Sequence, residues 1–143
     1  LEVNVMDIKR ILETMSYAVV IALMMGGISV AEPIGDWNMN ANGWLVTLNI
    51  ASVDAQGKLA GTMSEGGIVH NIVGSWNEDQ KKIVFMRIRD PQNPAVSQLF
   101  IGYFFQTPRV PGAGDNVVQY LTGYFEEATG AIGGWYAQRE IVG

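Results

Sequence analysis

Downstream of residue 31 the apolar positions alternate. Trp44, Val46, Leu48 and Ile50 fall on one side of an extended segment, and Ile68, His70, Ile72, Gly74 and Trp76 share one side of another. In a third, Phe100, Gly102 and Phe104 oppose Leu99, Ile101, Tyr103 and Phe105. A period of two marks β-strands, whose successive side chains point to opposite faces. Turn-forming clusters interrupt the pattern at Asn42-Gly43, Asp54-Ala55-Gln56-Gly57, Glu65-Gly66-Gly67, Asn77-Glu78-Asp79, Asp90 to Pro94, Pro108 to Asn116 and Ala128-Thr129-Gly130. The breaks delimit extended segments at 35–39, 44–52, 58–64, 68–76, 82–89, 97–106, 117–127 and 132–140.

Connections this short join antiparallel neighbours, so the expected topology is an up-and-down meander. Eight such strands hide their edges most cheaply by closing, and the expected fold is all-β: an eight-stranded antiparallel up-and-down β-barrel. A two-sheet sandwich is the alternative, but it calls for long crossovers, and only the loop from Pro108 to Asn116 is a candidate. Several strands are apolar on both faces, which predicts a homo-oligomer with a subunit interface on the barrel wall. Lys82, Gln98 and Gln119 are assigned to the outer face, and the strands are short for an outer-membrane barrel.

The first 31 residues differ in character. Lys9 and Arg10 precede Tyr17 to Ala31, a run of 15 uncharged residues that ends in Ser29-Val30-Ala31, small at the positions a signal peptidase reads. This reads as a secretory signal helix over residues 1–31, with a barrel domain over 32–143 that is secreted or periplasmic. The competing reading is a membrane anchor, but 15 residues rise only about 22 Å against a hydrocarbon core of about 30 Å.

Composition narrows the chemistry further. A net charge of −5 offers no basic excess to displace counterions, so nucleic acid is not an expected partner. The chain has no cysteine, which removes disulfides and thiolate chemistry. No metal site or cofactor is expected, because His70 is the single histidine and the carboxylates fall mainly in turns.

Gly35-x-Trp37 at the first strand and Arg139 near the end of the last resemble the pattern of the calycin superfamily, lipocalins and avidins among them. Gly57-Lys58-Leu59-Ala60-Gly61-Thr62 is similar to the avidin "G-x-L-x-G-T". The resemblance implies a barrel plugged at one end by Trp37 with Arg139 packed over its indole, and open at the other. It implies the plug and the cup but not biotin, since Met39 stands where avidins present an asparagine, and the late strands carry Tyr103, Tyr120 and Tyr124 with only Trp135.

A small, partly apolar ligand at the open end is therefore the expected partner. Asn49, Asn71, Ser75, Arg87, Tyr103, Tyr120, Tyr124 and Gln138 are the polar side chains assigned to the cup, and a one-residue slip in register inverts every such assignment. His70 reads either as a pocket group or as a hydrogen-bonded core residue. Two other readings stand beside this one: a protein-interaction or inhibitor barrel, its lumen filled by Trp44, Phe85, Phe104 and Phe125, that binds through its rim or the Pro108 loop; and a barrel isomerase or cyclase using His70, tyrosines and Glu126. The repeated Gly-aromatic patterns Gly102-Tyr103-Phe104 and Gly123-Tyr124-Phe125 are expected to pack rings over cross-strand glycines.

Overall fold

A computed structural model describes residues 33–108 and 116–142. The expected signal helix lies outside the described residues. Eight strands follow in order: β1 (Gly35–Ala41), β2 (Trp44–Val53), β3 (Lys58–Glu65), β4 (Ile68–Asn77), β5 (Lys82–Ile88), β6 (Gln98–Gln106), β7 (Val117–Glu127) and β8 (Ile132–Ile141). Each pairs antiparallel with the next and β8 returns to β1, closing an up-and-down barrel. The expected segments match these strands to within about two residues at each end. Pro94–Val96 forms a short 3₁₀ turn ahead of β6.

The turn chemistry explains why the hairpins are tight. Asn42 and Gly43 both take positive φ (51° and 93°), the combination that matches strand twist in a two-residue loop, and the Gly43 amide donates to Asn40 Oδ1. The hairpins β1–β2, β3–β4 and β7–β8, with the longer β5–β6 loop, all lie at one end of the barrel. That end is the mouth.

Register fixes which face is inside. Trp37, Met39 and Ala41 of β1 pack with Val46, Leu48 and Ile50 of β2, Leu59 and Met63 of β3, and Ile72 and Trp76 of β4. Ile83, Phe85 and Arg87 of β5, Gln98, Phe100 and Phe104 of β6, Val117, Leu121 and Phe125 of β7, and Trp135 and Ala137 of β8 complete the buried set on the strands. Two aromatic clusters occupy the lumen. Toward the closed end Phe104 meets Trp37 and Trp76 edge-on, with centroids 6.4 and 6.3 Å apart. Nearer the mouth Phe100 stacks between Phe85 (4.9 Å) and Phe125 (5.2 Å), and Trp135 meets Phe85 and Phe100 edge-on. Such pairs contribute about 0.5–1.5 kcal/mol each beyond their buried area.

The expected packing of rings over glycine is present, with Trp135 as the ring at the repeat. Gly102 and Gly123 face each other across β6 and β7, Gly123 is opposite Trp135, and a Cβ on Gly102 would lie 2.6 Å from Trp135 Cζ2. The indole Nε1 donates to the Ile101 and Tyr124 carbonyls through the gap that the missing side chains leave. Two of the polar residues assigned to the outside are in fact inside: Gln98 is buried, and Gln119 accepts a hydrogen bond from the inward-facing Arg139. Lys82 does lie outside, over the Tyr103 ring.

Candidate functional site

The two ends of the lumen are built differently. At the closed end the ladder between β1 and β8 pairs Asn38 to Ala41 with Gln138 to Trp135 and stops there, leaving Gly35 to Trp37 without partners on β8. Arg139 takes over from the ladder. Its guanidinium lies 4.1 Å from the Trp37 ring centroid, its Nη1 donates to the Ile34 carbonyl, and its Nε donates to Gln119 Oε1 at 2.8 Å. Trp37 Nε1 donates to the Pro33 carbonyl at 2.8 Å. Gly35 makes room for this: it sits at φ 121°, and a Cβ there would lie 2.8 Å from Arg139 Nη1. Gly35, Trp37 and Arg139 thus form the plug.

The mouth is open and polar on one side. Five consecutive strands each place one inward-facing polar residue near their upper ends: Glu65 on β3, His70 on β4, Arg87 on β5, Gln98 on β6 and Glu127 on β7. Arg87 is the hub. Its Nε donates to His70 Nδ1 at 3.1 Å, its Nη1 to Gln98 Oε1 at 3.3 Å and its Nη2 to Glu65 Oε2 at 3.4 Å. Gln98 Nε2 then donates to Glu127 Oε1 at 2.8 Å, so the arc is continuous from β3 to β7. Burying a guanidinium is costly unless it is paired, and the Glu65 carboxylate supplies the pairing.

Opposite the arc, Ala41, Asn42, Trp44 and Val46 form the second wall, and Phe100 and Phe125 line the cavity from below. The cup encloses about 220 Å³. Trp44 is 65% exposed at the rim. Arg89, one alternation beyond Arg87, also lines the cup from its exposed position beside the β5–β6 loop.

His70 is held below its ordinary pKa of 6.5, first by lost hydration and then by the positive charges of Arg87 and Arg89, with Glu65 opposing. A neutral imidazole suits its position, because its Nδ1 must accept the Arg87 hydrogen bond.

Of the eight side chains assigned from sequence to the cup, Arg87 alone faces it. Asn49 is on the outer face of β2, donating to Asp36 Oδ1 at 2.6 Å. Asn71 and Ser75 alternate with the buried Ile72 and Trp76 and so are exposed on β4. Tyr103, Tyr120 and Tyr124 alternate with Phe104, Leu121 and Phe125, and Gln138 with Ala137; all four lie outside. The physical reason is that these strands carry large apolar residues on both faces, so alternation defines two faces without saying which is concave. Glu126 is likewise exposed on the outer face of β7, across the wall from His70, while its neighbour Glu127 points in. Of the four residues expected in a filled lumen, Phe85, Phe104 and Phe125 are there; Trp44 is at the rim. Among the described residues no group of three or more histidines and carboxylates is arranged to hold a metal ion.

Sequence reasoning missed Glu65, Gln98 and Glu127. Each is the last or first residue of its strand, at the height where a barrel interior gives way to solvent. No protein-family model, curated protein or solved structure was found to match the chain.

Proposed function

We propose that this protein is an exported, non-catalytic barrel of the calycin type that holds one small, partly apolar molecule in the cup at its mouth and self-associates through its outer wall. The observation that carries the proposal is the arc of Glu65, Arg87, Gln98 and Glu127, with His70 bonded to Arg87, facing Trp44 and Val46 over a Phe100–Phe125 floor. A concave apolar surface with a few convergent polar groups is the form of small-molecule sites. Trp37 and Arg139 at the opposite end support the calycin likeness, and the Lys9 to Ala31 pattern supports export.

A second reading has its own support. Below the cup the lumen is filled by Phe85, Phe100, Phe104, Phe125 and Trp135, as a protein-interaction barrel that works through its rim requires. Native mass spectrometry of the protein purified from its own source separates the two. A retained small molecule, lost in Trp44→Ala, supports the cup; the bare chain, with tryptophan fluorescence that no small acid, amide or amine alters, overturns it in favour of the rim.

A further inference from the structure

The unspent donors in the cup identify the kind of molecule it takes. Arg87 is 8% exposed, yet its three hydrogen bonds are 3.1, 3.3 and 3.4 Å long. Charge-assisted bonds to a well-seated guanidinium run at about 2.7–2.9 Å. Each Nη also carries a second N–H with no acceptor among the described residues. A buried donor left unmatched is unfavourable, and here the deficit is one of acceptors. The acids of the arc accept one hydrogen bond each, Glu127 from the Gln98 amide at 2.8 Å and Glu65 from Arg87 at 3.4 Å. Both are half-buried, so their remaining oxygen sites meet water where the buried guanidinium does not. Arg89, lining the same cup, has no ion pair among the described residues.

The apolar surfaces set the rest of the ligand. A cavity of about 150 Å³ accepts benzene, and this cup, at about 220 Å³, has room for one ring and a small head group. The Phe100 and Phe125 rings, 5.2 Å apart and 26° from parallel, present aromatic surface below the cup, and the Trp44 indole flanks it. Resting on the cup reading above, we infer that the ligand is a small planar monocarboxylate, an aromatic or similarly flat acid, whose carboxylate accepts from the Nη groups of Arg87 and lies in the field of Arg89. The planar fork of arginine suits a carboxylate in a way that a lysine ammonium does not.

Isothermal titration calorimetry with benzoate, benzamide and benzylamine on the full chain tests this. These probes share a ring and differ in head group. Benzoate is expected to bind with a Kd on the order of 1 mM or tighter, about tenfold or more below that of benzamide, and benzylamine not to bind. Arg87→Lys is expected to weaken benzoate about tenfold or more. Should that variant fail to fold, Arg89→Gln, at an exposed site, is expected to weaken benzoate several-fold and to flatten its salt dependence. Benzamide or benzylamine binding as tightly as benzoate overturns the carboxylate assignment while leaving the cup reading intact. Silence from all three probes likewise overturns the assignment; the cup reading falls only if the protein from its own source also carries no small molecule.

Discussion

The Arg139 guanidinium lies 4.1 Å from the centroid of the Trp37 ring at the place where the β1–β8 ladder ends. The seam of a closed barrel joins the first and last strands, which are the pair farthest apart in sequence and so the one with the greatest loop-closure cost. Here that seam is the shortest of the eight ladders, and a single arginine extends it by stacking on Trp37 and capturing the Ile34 carbonyl.

This arrangement predicts strong coupling between the two residues. Trp37→Leu and Arg139→Met, alone and together, form a double-mutant cycle read by urea denaturation. The expected coupling is about 0.5–2 kcal/mol, the range for a cation over an indole at increasing burial. Arg139→Lys is expected to recover only part of the loss, because an ammonium cannot stack while donating to both Gln119 and Ile34. Additive single mutants within about 0.3 kcal/mol would show the contact to be incidental.

The strand order was legible in the sequence because it rests on local signals, whereas the plug, which joins residues far apart in the chain, was expected only through the resemblance of Gly35-x-Trp37 and Arg139 to the calycin pattern. Alternation and turn residues locate strands, and short connections leave one simple way to pair them. The inner face was not legible, since β6 offers Leu99, Ile101, Tyr103 and Phe105 against Phe100, Gly102 and Phe104, and hydropathy favours neither. The useful signal was glycine. Gly61, Gly74, Gly102 and Gly123 all share a face with buried residues, and a Cβ on any of them would crowd neighbouring backbone or a ring. A small barrel has little room inside and fills it by alternating small residues with large. The arc at the mouth was hidden for a different reason: Glu65, Gln98 and Glu127 fall at strand ends beside turns, where a polar side chain reads as solvated.

The glycine pair under Trp135 gives a second test. A Cβ at Gly102 would lie 2.6 Å from Trp135 Cζ2 and 2.9 Å from the Thr122 carbonyl oxygen; at Gly123 it would lie 1.9 Å from the Ile101 carbonyl oxygen. Both alanine variants are expected to be destabilised by about 1–3 kcal/mol or more. Trp135→Leu should relieve a measurable part of the Gly102→Ala penalty and none of the Gly123→Ala penalty, since the second clash is with backbone. Equal relief at both sites in chemical denaturation would refute this account.

The outer wall carries apolar rows in register: Val73, Met86 and Leu99 across β4 to β6, then Val84, Ile101 and Tyr124 across β5 to β7. Tyr103 and Tyr136 flank Thr122 one row further toward the closed end. If the proposed self-association uses this wall, Ile101→Glu at its centre should shift the sedimentation coefficient to that of a monomer while leaving far-UV circular dichroism unchanged. A wild-type chain that sediments as a monomer across its accessible concentration range removes this part of the proposal.

Acid should destabilise the barrel in two steps with separate origins. His70 is held below 6.5 by lost hydration and by Arg87 and Arg89, against the opposing charge of Glu65. Glu78 is held below 4.5, first by the hydrogen bond from Lys81 and then by that from Trp76 Nε1 at 2.6 Å. As pH falls through 6.5, the unfolded chain protonates at its histidine before the folded chain does. The stability contributed by neutral His70 is therefore complete above that pH and is lost below it, down to the folded-state value. For Glu78 the ionised form is the favoured one in the fold, so its contribution is complete above about 4.5 and is lost as pH falls through its lower folded-state value. Tm measured against pH should accordingly decline below 6.5 and again below 4.5. His70→Gln, whose amide oxygen can still accept from Arg87 Nε, should flatten the first decline alone. Glu78→Gln should flatten the second alone, with Trp76 emission following that step in the wild type. A first decline that survives His70→Gln would place the titrating group elsewhere and detach His70 from the arc.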